Sequence, residues 1–159
     1  MQYLNYEIRP MTDKDLPQVM AIENVSFFNP WKEKDLLYEI HENPVSNVWV
    51  LEVSNDSLGL RQICGFCDWW VTFDSGTICQ IAVHPDIRKE GFASMMMEEI
   101  IRDAKAKKVA TLTLEVRKSN EAAIGLYKKF GFYVSHIKPG YYTDGEDAIY
   151  MILEVKRYG

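Results

Sequence analysis

TICQIAVHPDIRKEGFASMMMEEIIRDAKAKKVATLTLEV, Thr77–Val116, is the stretch that decides the fold. Thr77–Val83 is rich in β-formers. From Gly91 to about Lys107 apolar residues return at helical spacing, with Phe92, Met96, Ile100 and Ala104 on one stripe and Lys105, Lys107 and Lys108 at the negative end of the helix dipole. Thr111–Val116 is again a strand. A strand, a helix and a second strand imply a right-handed crossover and therefore a parallel pair.

Upstream, Val48–Val53, Ile63–Thr72 and Thr77–Val83, with a turn at Phe73–Gly76, read as an antiparallel meander. A helix from about Asp13 to Asn24 is capped by Thr12, with Asp15 completing a capping box, and a second helix carrying Leu36, Leu37 and Ile40 stops before Pro44. Downstream, a helix over Asn120–Phe130 ends at Gly131, and strands Phe132–Ile137 and Ala148–Val155 flank the turn-rich Pro139–Gly145. The expected class is mixed α/β. One domain spanning residues 1–159 has a mostly antiparallel sheet with one parallel pair, covered by about four helices.

Composition narrows the function. The 159 residues carry 18 Lys plus Arg against 23 Asp plus Glu, a net charge of −5, which is the wrong sign for a general nucleic-acid binder. No apolar run approaches the roughly 20 residues of a membrane span, and Met1–Pro10 lacks a secretory profile. With an odd count of three cysteines, the expectation is a cytoplasmic protein, without membrane or nucleic-acid partners.

Two segments carry candidate chemistry. At Ile81-Ala82-Val83, followed by Arg88-Lys89-Glu90-Gly91-Phe92-Ala93, a strand crosses a short loop into a helix opening at a glycine. Such a junction offers unpaired backbone N–H groups and a positive dipole end to an anion, here with Arg88 and Lys89 adding charge; it is equally the form of an ordinary strand–helix turn. The second segment is Leu112–Asn120. Alternation sets Leu112, Leu114 and Val116 on one face and Thr113, Glu115 and Arg117 on the other. Glu115 in mid-strand is unusual, and its plain explanation is an ion pair with Arg117. Tyr127, in an apolar stripe with Ile124, is a candidate for either core or site.

The linked series Arg88-x-x-Gly91-x-Ala93 after Ile81-Ala82-Val83, then Leu114-Glu115-Val116-Arg117 with Ser119-Asn120, Leu126-Tyr127 and Gly131-Phe132, resembles the GCN5-related N-acetyltransferase (GNAT) family. Ser26-Phe27, Pro30-Trp31 and Gly140-Tyr141-Tyr142 before Glu146-Asp147-Ala148 resemble its members that acetylate the N-terminal alanine of a ribosomal protein. The resemblance implies acetyl-CoA as co-substrate at the splayed end of the parallel pair. Backbone groups of Ile81, Ala82 and Val83 would hold its pantetheine and acetyl portion, Arg88, Lys89, Glu90, Gly91, Phe92, Ala93 and Ser94 its pyrophosphate, and Asn120 a further part. It implies Glu115 as general base and Tyr127 as general acid, no metal, a protein N-terminus as acceptor and a monomeric enzyme. A lysine or small-molecule amine acetyltransferase, or a non-catalytic acyl-CoA-binding module, are the alternatives. Lys138-Pro139 stands where many relatives place an arginine, a difference that bears on acceptor choice.

Other features have plainer explanations. Cys64 and Cys67, three apart in a strand, point to opposite faces and make a metal or disulfide role unlike the pattern; Cys79 reads as a small hydrophobe. His84 suits a turn role. Trp31, Phe27, Phe28, Trp69 and Trp70 read as core plus one wall of an acceptor groove, and the acidic turn Asp144, Glu146 and Asp147 as a solvated loop or a lure for a basic peptide.

Overall fold

The computed structural model describes residues 5–85 and 91–157. Among the described residues seven strands form one mostly antiparallel sheet in the order β1-β2-β3-β4-β5-β7-β6, with β4 and β5 as the parallel pair, accompanied by four α-helices. The elements in chain order are β1 (Asn5–Pro10), α1 (Leu16–Ser26), α2 (Glu33–His41), β2 (Ser46–Asn55), β3 (Leu60–Thr72), β4 (Ser75–Val83), α3 (Phe92–Ala106), β5 (Thr111–Arg117), α4 (Glu121–Lys129), β6 (Tyr133–Lys138) and β7 (Ala148–Glu154). Among the described residues no helix is long and apolar enough to cross a membrane. They divide into two compact units, one within Met1–Trp69 and Gln80–Ile100, the other within Trp70–Cys79 and Ile101–Gly159.

In the first unit both faces of β2 are covered. Val48 and Val50 pack with Val19 and Ile22 of α1 and Leu36 of α2, whereas Leu51 and Val53 pack with Phe92 and Met96 of α3. Strand β1 is absent from the sequence expectation. It is a largely exposed edge strand with little apolar pattern, and its order comes from pairing with β2, Asn5↔Ser54 to Pro10↔Trp49. Arg9 adds a two-point contact to Asp15, at 2.8 and 2.9 Å, and another to Glu52 at 3.2 Å. Asp15 also accepts from the Thr12 N–H at 2.8 Å, the anticipated cap; a 3-10 turn over Asp13–Asp15 precedes α1.

In the second unit β5 alternates as expected, with Leu112, Leu114 and Val116 buried. Strand β7 lies between β5 and β6 and pairs antiparallel with both. Gly131, at φ +99°, follows α4 as its left-handed stop. The turn expected at Phe73–Gly76 is shorter, because Ser75 and Gly76 already belong to β4. Gly76 faces Leu112 in the parallel register, where a Cβ would lie 2.6 Å from a Leu112 methyl, so this glycine serves close packing rather than the turn.

Candidate active site

The β4–β5 register runs from Ser75↔Thr111 to Ile78↔Leu114, and both strands continue beyond it, β4 to Val83 and β5 to Arg117. In the first unit Ala82 and Val83 are buried, and Ile81 and Val83 join the cluster around Phe92 and Met96. Their side chains are therefore committed to packing, leaving backbone groups as what they can present to a ligand. The His84 N–H donates to the Cys64 carbonyl at 2.7 Å, tying the end of β4 to β3 in keeping with a turn role.

Gly91 sits at φ +79° and its carbonyl accepts from the Met95 N–H at 3.1 Å, opening α3. The N–H groups of a helix's first turn point away from the helix body, which sets those of Phe92, Ala93 and Ser94 at the opening of α3, with the Phe92 side chain turned into the core. Arg88, Lys89 and Glu90 lie outside the described residues.

Glu115 and Tyr127 both belong to the second unit. Glu115 Oε1 lies 3.3 Å from Lys138 Nζ, while Oε2 is buried. The ion pair with Arg117 expected from strand alternation does not form. Arg117 instead holds Asp144 and Glu146, each at 2.9 Å, and lies over the Tyr142 ring at 4.1 Å. Arg117 thereby offsets part of the turn's charge: Asp144 and Glu146 are held below the ordinary carboxylate range, Asp144 first by the Glu146 N–H and Glu146 first by Ser119, each then by Arg117. Asp147 Oδ1 accepts from the Gly140 N–H at 2.9 Å. These contacts order the turn that carries Tyr141 and Tyr142.

The neighbouring Glu115 carboxylate, ahead of burial, holds the Tyr141 phenol above the ordinary range. Tyr142 is raised by desolvation and then by the Glu115 charge. Tyr127 is buried in α4, its ring 5.8 Å from that of Phe132, and desolvation followed by Tyr142 pushes its phenol far up. Asn120 caps α4, its Oδ1 accepting from the Ala123 N–H at 3.2 Å.

Glu23, in α1 between Ile22 and Asn24, carries no signal in the sequence. It is fully buried, and its Oε2 accepts from the Trp31 N–H and from Gln80 Nε2, both at 2.9 Å. Trp31 and Phe27 pack against the core, Trp69 is fully buried edge-on to Trp49 at 5.7 Å, and Phe28 is exposed. Cys64 and Cys67 are both buried, and burial pushes the Cys67 thiol up, away from reactive thiolate. Among the described residues no group of three or more His, Cys, Asp or Glu is arranged to hold a metal ion.

Residues 16–132 match the model of the acetyltransferase (GNAT) family. The chain belongs to that family. GNAT proteins use acetyl-CoA as co-substrate, and this chain is an N-acetyltransferase by descent. A Bacillus subtilis (strain 168) relative, provisionally named a [ribosomal protein bS18]-alanine N-acetyltransferase, is 36% identical over 145 residues, covering 91% of this chain and 92% of its own. The crystal structure of the ribosomal-protein-S18-alanine N-acetyltransferase from Escherichia coli is 34% identical, with a TM-score of 0.82 over 98% of this chain and 97% of that one. The NatC complex bound to Gag peptide and CoA, at 19% identity and a TM-score of 0.81 over 95% of this chain and 99% of that one, shares the GNAT fold alone.

Proposed function

We propose that this GNAT protein transfers the acetyl group of acetyl-CoA to the α-amino group of a protein N-terminus, with the N-terminal alanine of a small-subunit ribosomal protein as favoured acceptor. The observation that carries it is the grouping of Glu115 with Tyr141, Tyr142 and Lys138 in one unit that also holds the buried Tyr127. The acceptor is supported by the names of the relatives from B. subtilis and E. coli. In this proposal residues 1–159 act as one N-acetyltransferase domain, and a ribosomal acceptor puts the enzyme in the cytoplasm.

Backbone groups of Ile81, Ala82 and Val83 hold the acyl and pantetheine portion of acetyl-CoA, and the first-turn donors after Gly91 hold its pyrophosphate, with Arg88, Lys89 and Glu90 assigned there on motif and Asn120 as a further contact. An α-amine with a pKa of about 7.7 to 8.0 is mostly protonated at neutral pH and must lose a proton before attacking a thioester. Glu115 takes that proton, directly or through water. The amine nitrogen bonds to the carbonyl carbon, and strand-end N–H groups stabilise the oxyanion. The C–S bond then breaks as the nitrogen, cationic after the attack, sheds its second proton, and that proton ends on the sulfur.

Tyr127 is assigned to the sulfur side of that last step. Its burial keeps the phenol protonated at neutral pH, yet holds it well above a thiol's ordinary range of about 8.5, so complete transfer to sulfur is uphill. Its main contribution is accordingly a hydrogen bond to the departing sulfur.

The test is release of CoA thiol with an Ala-initiated peptide and with the same peptide blocked at its N-terminus. Release with the free peptide alone supports the proposal. Equal release from both would move the activity to a lysine side chain, and release from neither would leave an acyl-CoA-binding module.

A further inference from the structure

Lys138 ends β6, two strands away from Glu115, and the register explains how it reaches it. Lys138 pairs with Ala148 and Ala148 with Arg117, one row along from Glu115↔Tyr150↔His136, so all six side chains stand on one face of the sheet. The Lys138 ammonium leans diagonally to 3.3 Å from Glu115 Oε1, with the Tyr150 ring centroid 4.9 Å and the Tyr141 centroid 5.2 Å away. A carboxylate with two aromatic faces is the set of groups that recognises an ammonium ion. Both members of the ion pair are partly open to solvent, at 34% and 28% exposure, so water or another ammonium can replace the contact at Glu115 Oε1.

The remaining charged and titratable groups around Glu115 are already engaged. Arg117 holds Asp144 and Glu146, Tyr141 packs edge-on to Tyr142 at 5.2 Å, Tyr142 lies under Arg117, and His136 stacks on Tyr150 at 4.7 Å. The lysine head and the α-ammonium of an incoming polypeptide are the same chemical group, and Glu115 is where the proposed reaction needs the latter. We propose that Lys138 occupies the acceptor-ammonium position as an internal competitor, displaced when a protein N-terminus binds, and so sets the affinity for acceptor. This rests on the assignment of Glu115 as base. Tethering keeps the competing ammonium at high effective concentration, while its partial exposure makes each contact weak, so the competition is modest.

The experiment measures steady-state kinetics of the full chain at saturating acetyl-CoA, varying an Ala-initiated peptide. Lys138→Met keeps the stem and removes the ammonium. KM for the peptide is expected to fall about two- to five-fold, with kcat within about twofold. Lys138→Arg restores the wild-type KM. An unchanged or raised peptide KM in Lys138→Met, or a loss of kcat at constant KM, overturns the proposal and makes Lys138 a support of the base. If Lys138→Met does not fold, the 13Cε resonance of Lys138, assigned by its loss in Lys138→Arg, decides on the wild-type protein: it shifts on titration with peptide if the lysine is displaced, and an unmoved resonance at saturation refutes displacement. Glu115→Gln in the same assay separates the two layers. Wild-type turnover in that variant removes Glu115 as base, and the Lys138 proposal with it; lost turnover alongside an unchanged Lys138→Met KM removes the Lys138 proposal alone.

Discussion

Replacing Glu23 tests whether a buried carboxylate clamps the segment before α2 to β4. In Glu23→Ala the Trp31 N–H and Gln80 Nε2 lose the oxygen that each meets at 2.9 Å, inside a site with no exposure at Glu23 itself. An unsatisfied buried group costs about 1–3 kcal/mol and the vacated volume adds to it, so the expected loss is about 3–5 kcal/mol. At about 2–4 °C per kcal/mol for a chain of this size, the melting temperature falls by roughly 6–20 °C. Glu23→Gln keeps an acceptor oxygen and removes the charge, and should stay within about 1 kcal/mol of wild type at neutral pH.

The pH dependence has a definite sign. Desolvation, ahead of the opposing hydrogen bonds from Trp31 and Gln80, holds the Glu23 carboxyl above its ordinary value of 4.5 in the native state. Above that value the folded protein keeps a proton that the unfolded chain has lost, so this group's contribution falls as pH rises through the native pKa. Urea unfolding from pH 4.5 to 8 should show that decline in wild type relative to Glu23→Gln. A cost under about 1 kcal/mol for Glu23→Ala, or Glu23→Gln as damaging as Glu23→Ala, would refute the clamp.

Glu115→Gln and Tyr127→Phe should each lower turnover about 10²-fold with acetyl-CoA affinity preserved, measured by thiol release; wild-type rates in both would remove their acid–base roles. Gly65→Ala places a Cβ 2.9 Å from the Ala82 carbonyl, which cannot swing away as the Met96 methyl can; stability should drop by about 1–3 kcal/mol and the KM for acetyl-CoA should rise, an unchanged KM denying Ala82 its assigned part. Asp15 is held below its ordinary 3.8, first by Arg9, so the stability it contributes is present above that value and lost as pH falls through the native pKa; Asp15→Asn should cost about 2 kcal/mol at pH 7 and flatten the acid side of a denaturation series.

The parallel crossover was legible because α3 and β5 each carry a clean period, as do the faces of β5 around Glu115. The insertion of β7 between β5 and β6 was not, because neighbours in a sheet are chosen by pairing that leaves no periodic trace. For the same reason β1 escaped: its six residues have few β-formers and end in Pro10, and only the ladder with β2 and the Arg9 contacts order them. Strand alternation drew attention to Glu115, and the family resemblance supplied its role and that of Tyr127, yet alternation assigned Glu115 the nearest cation in the strand, Arg117. The turn at Asp144–Glu146 claims that arginine, leaving Lys138 from two strands away. Glu23 stayed hidden because its partners, Trp31 and Gln80, are 8 and 57 positions distant.

The central claim is that acetyl goes to a polypeptide's α-amine. Incubation with acetyl-CoA and a mixture of an Ala-initiated ribosomal-protein peptide, a lysine-containing peptide with blocked N-terminus and a polyamine, followed by mass-spectrometric localisation of the acetyl group, tests it most directly. The account predicts acetyl on the α-nitrogen of the N-terminal alanine. Acetyl found only on lysine Nζ or on the polyamine would contradict it.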